Sequence, residues 1–311
     1  MTSVDDLLGP SSRRYLTGAV QQVRRTVRQV AIRAGTDGRV RVSAVAAIDD
    51  PRTRTEGWAP HLDSVDTGLI AAELTECALA GGLGLDPEAR RRARVRRIDL
   101  WAGSRPERRL TGIPVSAELL AGQVRGQVGP MRFRLVVDLD GDPAPVEVSE
   151  GVVDSSTDLL GDPETRYWGL GFLRSAREVR DVAIDPWRRS VTAAVTVGEP
   201  PGSCPDGLES AHRPGLTPLD GLFVVAQLTK ALICTLDGVD PADRETMWAR
   251  RTTCEVDPAA RPVAGAEPVV LTTEHTEVVE LNGRRWQNHR MAGSIGALRG
   301  SFAFANRVPG A

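Results

Sequence analysis

The sequence predicts an α+β protein made of two tandem copies of one unit, each with a single apolar helix enclosed by antiparallel strands. Two observations predict this organisation. A stretch of 32 residues recurs without a gap at a constant offset of 154, and in each copy an apolar helix separates runs with the two-residue period of strands. Because the repeat is much longer than a solenoid unit, each copy is expected to be a domain, residues 1–150 and 151–311.

The repeat pairs residues 66–97 with residues 220–251, and ten of the 32 pairs are identical. A second offset, 152, pairs VRQVAI at 27–32 with VRDVAI at 179–184. The duplication therefore extends over most of the chain. The identical pairs that carry charge and enter the arguments below are Asp66/Asp220, Arg96/Arg250 and Arg97/Arg251.

Each copy opens with two predicted strands. In the first copy they are VRQVAIRA (27–34) and RVRVSAVAAI (39–48), and in the second copy they are VRDVAIDP (179–186) and SVTAAVTV (190–197). These segments are rich in β-branched residues and alternate in polarity, as half-buried strands do. We therefore expect each pair to begin the sheet of its own copy.

An apolar helix follows in each copy, over residues 67–81 and 221–236. Its apolar residues extend nearly all round the helix, which indicates burial rather than a surface position. Further strands are predicted behind each helix. They are 94–103, 113–120 and 131–139 in the first copy and 267–281, 284–291 and 300–306 in the second.

The order of strands, central apolar helix and further strands resembles the hotdog fold, and the tandem copies resemble a double hotdog. The segment HRPGLTPLDGLFVVAQLTKA (212–231) is similar to the loop that enters the central helix in hotdog acyl-carrier-protein dehydratases. The helix carboxylate of those enzymes falls near Ala226 or Gln227 in this chain. The resemblance therefore implies the hotdog fold, while Gln227 counts against dehydration in the second copy.

Two longer stretches, LLGPSSRRYLTG (7–18) and PHLDSVDTGLIAAELTECALAGGLGL (60–85), resemble the avirulence protein D family. That family is implicated in making syringolides, which are acyl glycosides built from a β-ketoacyl chain and a ketopentose. It is similar to the hotdog proteins that make γ-butyrolactone signals by moving a β-ketoacyl group onto a three-carbon phosphate.

The resemblance implies an acyltransferase or condensing enzyme that moves a β-ketoacyl group from a thioester to a hydroxyl of a small sugar or sugar phosphate. The implied donor is carried by acyl carrier protein or by coenzyme A. Two alternatives stay open. One is a hotdog dehydratase or thioesterase that acts on acyl thioesters, and the other is a non-catalytic module that binds an acyl chain or a signal molecule.

The catalytic candidates are Glu73, His61 and His212. Glu73 lies about two turns into a mostly apolar helix, where burial is expected to raise the pKa of a carboxyl and prepare a general base. Its counterpart at the offset of 154 is Gln227. His61 and His212 lie in the loops that enter the two helices, and each can move a proton to or from a hydroxyl. Since hotdog helices pair, His212 and Glu73 are expected to share one pocket.

The candidate substrate-binding residues are Asp66, Asp220, Gln227, Arg96, Arg250 and Arg251. Both aspartates are also expected to be N-caps, because an aspartate oxygen accepts the unpaired N–H groups of the first helical turn. The arginines suit the phosphate of a sugar phosphate or of a phosphopantetheine arm, with a scaffold role as the alternative. The N–H groups at the helix start are expected to stabilise a thioester oxyanion.

Composition narrows the class of partner. A net charge of −2 provides no positive field for nucleic acid or an anionic membrane, so small-molecule substrates are expected. No apolar run approaches the length of about 18 residues that spans a membrane, and the start lacks a signal-peptide pattern, so a cytoplasmic protein is expected. The four cysteines lack metal-ligand spacing, which predicts reduced thiols and no metal. No P-loop occurs, and GGLGL (81–85) follows a helix rather than a strand, so no cofactor is expected. A monomer or a homodimer is expected.

Overall fold

The computed structural model describes residues 2–9, 20–50, 60–141, 151–198, 206–213, 215–240, 247–257, 265–281 and 283–308. Within these residues the α-helices are α1 (Val4–Leu8), α2 (Ser64–Cys77), α3 (Pro87–Arg92), α4 (Ser156–Leu160), α5 (Phe172–Arg174) and α6 (Pro218–Asp237). Segments of π-helix lie at Ala78–Gly82 and Tyr167–Gly171, and 3₁₀ turns lie at Val20–Gln22 and Ser210–His212. The strands are β1 (Arg24–Ala34), β2 (Val40–Asp49), β3 (Arg94–Trp101), β4 (Ile113–Leu120), β5 (Gln123–Val128), β6 (Met131–Asp138), β7 (Gly151–Ser155), β8 (Arg177–Asp185), β9 (Ser190–Val197), β10 (Trp248–Val256), β11 (Glu267–Leu281), β12 (Arg284–Ile295) and β13 (Leu298–Arg307).

The chain forms two compact units, and each unit is assembled from more than one segment. The first unit comprises Gln22–Ser175 and Glu199–Gly215, and the second comprises Met1–Gln21, Ala176–Gly198 and Leu216–Ala311. This grouping differs from a single division between residues 150 and 151, because the first unit continues to Ser175 and because the N-terminal segment and the segment at 199–215 each join the other half. The repeats at 1–150 and 151–311 stay a prediction about how the sequence was duplicated.

Backbone hydrogen bonds hold both exchanged segments in place. In the second unit Val182 N donates to Thr2 O at 2.9 Å, and α1 packs against α6. In the first unit Glu209 N donates to Ala93 O at 3.1 Å. His212, which belongs to the second repeat in the sequence, is consequently part of the first unit.

Both units have the same strand order. Hydrogen-bonded neighbours run β7-β1-β2-β4-β5-β6-β3 in the first unit and β8-β9-β11-β12-β13-β10 in the second. All of these pairings are antiparallel. Apart from β7, which is added at one edge of the first sheet, each repeat strand has a counterpart in the same place. The α+β class is confirmed, and the sequence duplication is visible in the topology.

Each unit contains one of the two predicted central helices. In the first unit α2 packs against β1 to β6, and in the second unit α6 packs against β8 to β11 and β13. At the C-terminal end of α6, Gly238 has a φ of 63°, a left-handed conformation that glycine adopts without strain. Among the described residues α6 is long and apolar enough to cross a membrane, but 78% of its most apolar window is buried within the protein. Its burial is that of a core helix.

The residues that cap the central helices differ from the prediction. The N-caps are Asp63 and Thr217, so the prediction that Asp66 and Asp220 are N-caps is wrong. Asp63 Oδ1 accepts a bond from Asp66 N at 2.7 Å, and Thr217 Oγ1 accepts one from Asp220 N at 3.2 Å. The carboxylates of Asp66 and Asp220 in turn accept a hydrogen bond from the backbone N–H of the N-cap residue, which completes a capping box in each unit. The third amide of each helix is therefore already bonded and is not available to a thioester oxyanion.

Each capping-box aspartate also forms a buried ion pair with the first strand of its unit. Arg25 Nε donates to Asp66 Oδ1 at 2.7 Å, and Arg177 Nε donates to Asp220 Oδ1 at 2.5 Å. Both arginine side chains are 7% exposed, and the aspartate side chains are 2% and 0% exposed. The two arginines are related by the offset of 152. We infer that Asp66 and Asp220 serve the scaffold by joining the helix start to the first strand.

Strand irregularities are duplicated as well. The register of β1 and of β8 shifts around Gln29 and Asp181, whose φ angles are 54° and 53°. The register of β3 and of β10 shifts around Arg96 and Arg250. A bulge inserts one residue without a pairing partner and turns the following side chains. Arg96 and Arg250 therefore hold equivalent bulge positions in the two units.

The sequence analysis does not predict β5, β7 or β10. In β5 the residues are mostly polar, and Gly126 interrupts the strand pattern. A Cβ added at Gly126 would lie 2.0 Å from Ser116 O on the neighbouring strand. This strand thus depends on a close backbone approach that only glycine permits, and such an approach has no signal in hydrophobic periodicity.

The duplicated ion pair provides a test of the scaffold. Arg177→Met leaves the Asp220 carboxylate buried without its counter-ion, and removing one partner of a buried pair typically costs about 3–5 kcal/mol. We expect a loss of stability of this size in urea unfolding followed by circular dichroism. Arg180→Met is the matched control, because the Arg180 side chain is 61% exposed on the same strand and surface pairs contribute about 0–1 kcal/mol. Equal stability of the two variants would contradict the assignment.

Candidate active site

Two glutamates of α2 lie about one turn apart on a mostly apolar helix. Glu76 is fully buried, whereas the Glu73 side chain is 15% exposed. Arg166 contacts both carboxylates: Nη1 donates to Glu76 Oε2 at 3.1 Å, and Nη2 lies 3.6 Å from Glu73 Oε1. The Arg166 side chain is itself 1% exposed. The cluster therefore holds two carboxylates and one guanidinium away from water, with Glu73 at its accessible end.

Burial changes the proton affinity of the inner carboxyl. Burial raises the pKa of Glu76, and the guanidinium groups of Arg166 and Arg90 oppose part of that rise. Among the described residues Glu76 Oε1 has no hydrogen-bond partner. A buried carboxyl in this position can keep a proton that an exposed glutamate would lose.

A serine fixes the orientation of Glu73. Ser156, the first residue of α4, donates its hydroxyl to Glu73 Oε1 at 2.6 Å. The contact with Arg166 is also made by Oε1. Both contacts described for Glu73 therefore involve Oε1. The carboxylate is held in position through this one oxygen.

Cysteine chemistry is not supported in this cluster. Burial, together with the nearby charges of Glu73 and Glu76, raises the pKa of the Cys77 thiol, so the group stays protonated and weakly nucleophilic. Among the described residues Cys77, Cys234 and Cys254 are buried and form no disulfide, and Cys204 lies outside the described residues. Within the described part of the chain no group of His, Cys, Asp and Glu side chains is arranged to hold a metal ion.

A loop from the second sequence repeat packs beside the carboxylates. Tyr167 N donates to Asp206 O at 3.0 Å, and Asp206 N donates to Thr165 O at 3.2 Å. Gly207 follows with a φ of 87°, and a Cβ added there would lie 3.3 Å from Glu76 Oε1. The positive φ therefore favours glycine at this position, and a side chain there would crowd Glu76.

A third buried glutamate, Glu209, anchors the same loop. Its Oε1 accepts a bond from Val95 N at 2.8 Å, and its Oε2 accepts one from Trp168 Nε1 at 3.0 Å. The Glu209 φ is 66°, a left-handed conformation that is uncommon for residues other than glycine. Burial raises the pKa of Glu209 to about 8. This side chain is therefore neutral at neutral pH and joins the loop to β3 and to the π-helical segment.

The three predicted catalytic residues lie in one unit. His212 Nε2 is 2.7 Å from Arg92 O, and because a carbonyl only accepts, Nε2 carries the proton and Nδ1 is left as an acceptor. Glu73 and the half-buried His61, in the segment before α2, belong to the same unit. The described contacts of Glu73 include no histidine. A histidine partner for Glu73 stays a prediction.

The remaining candidates are spread over both units. Gln227 is buried in α6, where its Nε2 donates to a main-chain carbonyl of its own helix at 3.2 Å. Arg96, in the first unit, has a side chain that is 31% exposed and an Nε 3.7 Å from Asp138 Oδ1. Arg250 and Arg251 are exposed on β10 of the second unit. Phosphate binding by these arginines stays a prediction.

Arg166, Glu76 and Glu209 are site residues that the sequence analysis does not identify. The offset of 152 pairs Arg166 with Arg14, which lies outside the described residues. The offset of 154 pairs Glu76 with Lys230, so the two helices differ in charge there. Comparing charges between the repeats would have marked Glu76. No sequence signal marks Glu209, because its partners are distant in the chain.

The raised pKa of Glu209 makes the stability of the first unit depend on pH. The ordinary glutamate pKa is 4.5, and in the folded chain burial raises the pKa of Glu209 to about 8. Between these values the folded state binds more protons than the unfolded state, so stability falls as the pH rises and changes no further above about 8. Glu209→Gln cannot ionise, and we expect it to reduce this dependence in urea unfolding measured across that range, with the raised pKa of Glu76 contributing to what is left.

An exposed glutamate of the same unit provides the control. The Glu88 side chain is 58% exposed, so Glu88→Gln should reproduce the pH dependence of the unchanged protein. Parallel stability curves for Glu209→Gln and the unchanged protein would show that Glu209 does not hold a proton in the folded state.

Comparison with known proteins places these features in a family. The family model described as Pseudomonas avirulence D protein (AvrD) matches residues 1–309. No curated protein matches the chain.

Several solved structures are similar at low identity. "GphF Dehydratase 1" has 15% identity and a TM-score of 0.38, covering 89% of this chain and 97% of that one. A putative thioesterase II from Thermobifida fusca YX has 14% identity and a TM-score of 0.37, covering 89% and 95%. An acyl-CoA thioesterase II, TesB2, from Mycobacterium marinum has 9% identity and a TM-score of 0.40, covering 90% and 95%.

Proposed function

Since this chain belongs to the Pseudomonas avirulence D protein (AvrD) family, we propose that it is an enzyme that transfers a β-ketoacyl group from a thioester to a hydroxyl of a small sugar or sugar phosphate. The thioester is carried by acyl carrier protein or by coenzyme A. The proposal joins the family membership to the buried carboxylate cluster of the first unit.

The position of Glu73 is the observation that carries the proposal. A general base needs a defined orientation, access to the substrate and an unoccupied basic atom. Ser156 and Arg166 both contact Oε1, the side chain is 15% exposed, and neither described contact involves Oε2. We propose that Glu73 meets these three needs. Its neighbour Glu76 is fully buried and therefore lacks access to a substrate.

The proposed step is a general-base acyl transfer. The oxygen of the acceptor hydroxyl attacks the acyl carbon while Glu73 Oε2 takes the proton of that hydroxyl. A C–O bond forms, the C–S bond of the thioester breaks, and the sulfur leaves with the proton returned from the Glu73 carboxyl. The products are a sugar ester and a free thiol, and Glu73 returns to its starting state.

Arg166 and Glu76 support this step by keeping the base in place. Arg166 Nη1 donates to Glu76 Oε2 at 3.1 Å. The guanidinium therefore keeps a carboxylate partner when Glu73 gains a proton during the reaction. An arginine remains charged throughout the reaction. We therefore assign Arg166 and Glu76 as positioning residues, and Ser156 as the group that orients Glu73.

His61 and His212 are proposed as second proton carriers. His212 Nδ1 is free to accept because Nε2 donates to the Arg92 carbonyl. Replacing each histidine by alanine, both alone and together with Glu73→Gln, separates the two. A histidine whose loss lowers activity in the unchanged protein but adds little once Glu73 is gone acts in the same proton transfer, since the effects of residues that act together are not additive.

The hotdog assignment and the quaternary state are also proposals. Each unit has one long helix packed against an antiparallel sheet, which is the arrangement that the hotdog prediction requires. The apolar side chains of α2 are suited to line a groove for the acyl chain. A monomer or a homodimer fits a chain that already contains both repeats.

A thioesterase is the second candidate function, because Glu73 Oε2 can equally take a proton from water. A dehydratase fits less well, because Gln227 is bonded within its own helix. A non-catalytic acyl-binding module requires no base at all. One incubation separates three of these functions: a sugar ester indicates the acyltransferase, free acid indicates the thioesterase, and unchanged thioester indicates the binding module.

Glu73→Gln tests the general base. The full chain is incubated with β-ketoacyl thioesters of several lengths and with candidate sugars, and products are identified by mass spectrometry. Positioned proton transfer typically contributes about 10²–10⁴-fold to rate, so kcat should fall by that factor. The KM for the thioester should change little, because Arg166 keeps Glu76 as a partner.

The control is Glu118→Gln, which changes a glutamate 38% exposed in the same unit and should keep full activity. Full activity of Glu73→Gln would exclude Glu73 as the base. Absence of any product with every thioester would favour the binding module.

The equivalent bulge arginines test phosphate recognition. If Arg96 or Arg250 binds a phosphate of the donor or acceptor, replacement by methionine should raise the KM for that substrate about tenfold or more, the loss of one charge-assisted contact. Thermal unfolding should be unchanged. An unchanged KM with a lowered Tm would instead assign the residue to the scaffold, and we expect that result for at least one of the two.

A further inference from the structure

The second unit contains a strand extension that its duplicate lacks. Strands β11 and β12 have 15 and 12 residues, whereas their counterparts β4 and β5 have 8 and 6. Both units have the same strand order, so the fold does not require the extra length. The extension places Thr276 of β11 directly opposite His289 of β12.

A bulge decides which side chain faces His289. The register of the β11–β12 pair shifts between Thr273 and His275. Without the extra residue, His275 would pair with His289; with it, Thr276 does. Because a one-residue shift exchanges the two faces of a strand, the bulge turns the Thr276 hydroxyl toward the His289 ring.

The protons of this contact can be assigned from its outer end inward. Asn306 Nδ2 donates to Arg307 O at 3.2 Å, so Asn306 Oδ1 is an acceptor. Oδ1 lies 3.0 Å from His289 Nε2, which therefore carries a proton. His289 Nδ1 is then the basic nitrogen, and it accepts the hydroxyl of Thr276 at 3.2 Å.

Arg189 completes the line from the opposite side. Its Nη2 donates to Thr276 Oγ1 at 2.9 Å, and its carbonyl accepts a bond from Thr273 N at 3.0 Å. The Arg189 φ is 51°, so a left-handed backbone turn brings the residue to the bulge. The Thr276 oxygen thus accepts from a guanidinium while its proton is directed at an imidazole.

Burial distinguishes the base from the hydroxyl. His289 is 2% exposed and Asn306 is fully buried, whereas Thr276 is half-buried and can be reached from solvent. A hydroxyl bonded to a base that is in turn oriented by a third group is the arrangement of an activated nucleophile.

We propose that Thr276 is a nucleophile that accepts an acyl group from an activated ester or thioester. His289 is its general base, Asn306 orients the imidazole, and Arg189 stabilises negative charge on the hydroxyl oxygen. This site goes beyond the transfer proposed for Glu73, because it uses a separate set of residues in the other unit.

The reaction is an acyl exchange without a redox step. Thr276 Oγ1 bonds to the acyl carbon while its proton moves to His289 Nδ1. The bond from the acyl carbon to the leaving oxygen or sulfur breaks, and the leaving group takes the proton from His289. The products are a threonyl ester and the free alcohol or thiol. Attack by water or by another hydroxyl then releases the acyl group.

The full chain treated with p-nitrophenyl acetate tests the site. We expect a burst of one p-nitrophenolate per chain and one acetyl group on Thr276, measured by absorbance, intact mass and peptide mapping. Thr276→Val should lose both signals, and Thr276→Ser should restore them. His289→Gln should slow acetylation by about 10²–10⁴-fold, the usual contribution of a positioned base.

Thr272→Val is the matched control, since Thr272 lies on the same strand and outside this line of hydrogen bonds, and it should behave as the unchanged protein. If His289→Gln does not fold, the Thr276→Val and Thr276→Ser pair decides alone. An unchanged burst in Thr276→Val, or acetylation only at other residues, would overturn the proposal. Loss of the sugar-transfer activity in Glu73→Gln has no bearing on this acetylation, so the two proposals fail separately.

Discussion

The buried pair between a first-strand arginine and a capping-box aspartate is the contact on which each unit depends. Arg25 with Asp66, and Arg177 with Asp220, join the start of the central helix to the first strand of the sheet. The aspartate also closes the capping box, so one side chain satisfies the helix start and the strand arginine together. A buried charge that loses its partner destabilises the fold. In each unit the ion pair therefore fixes the position of the central helix relative to the first strand.

On this shared scaffold the two central helices have different chemistry. The first helix has two glutamates, Glu73 and Glu76, that share the buried Arg166. The second helix has Gln227 and Lys230 at the corresponding positions. A duplicated domain can keep its packing while one copy gains charge, because the apolar faces and caps are supplied by other residues. The buried carboxylate cluster therefore belongs to the first unit, and the symmetry of the strand order does not extend to these side chains.

Departures from the repeat supply the features that point to function. The segment 206–213 comes from the second repeat in sequence but packs in the first unit, where Gly207 approaches Glu76 and the buried Glu209 anchors the loop. In the second unit the long β11–β12 hairpin adds the hydrogen-bonded line through Thr276 and His289. Neither feature is needed for the duplicated strand order. Features that the fold does not require are good candidates for a specialised function.

The sequence by itself determined the α+β class, the duplication, both central helices and most strands, because these follow from local periodicity and from a repeat that each copy confirms in the other. It also marked Glu73 through its contrast with Gln227. Only the tertiary structure decided that Asp66 and Asp220 are the third residues of capping boxes and pair with arginines, rather than being the N-caps themselves, and that Arg166 and Glu209 belong to the first unit. These contacts join residues that are far apart in the chain, as the contact between Arg166 and Glu76 does. A local sequence pattern cannot identify such partners, because it contains only neighbouring residues.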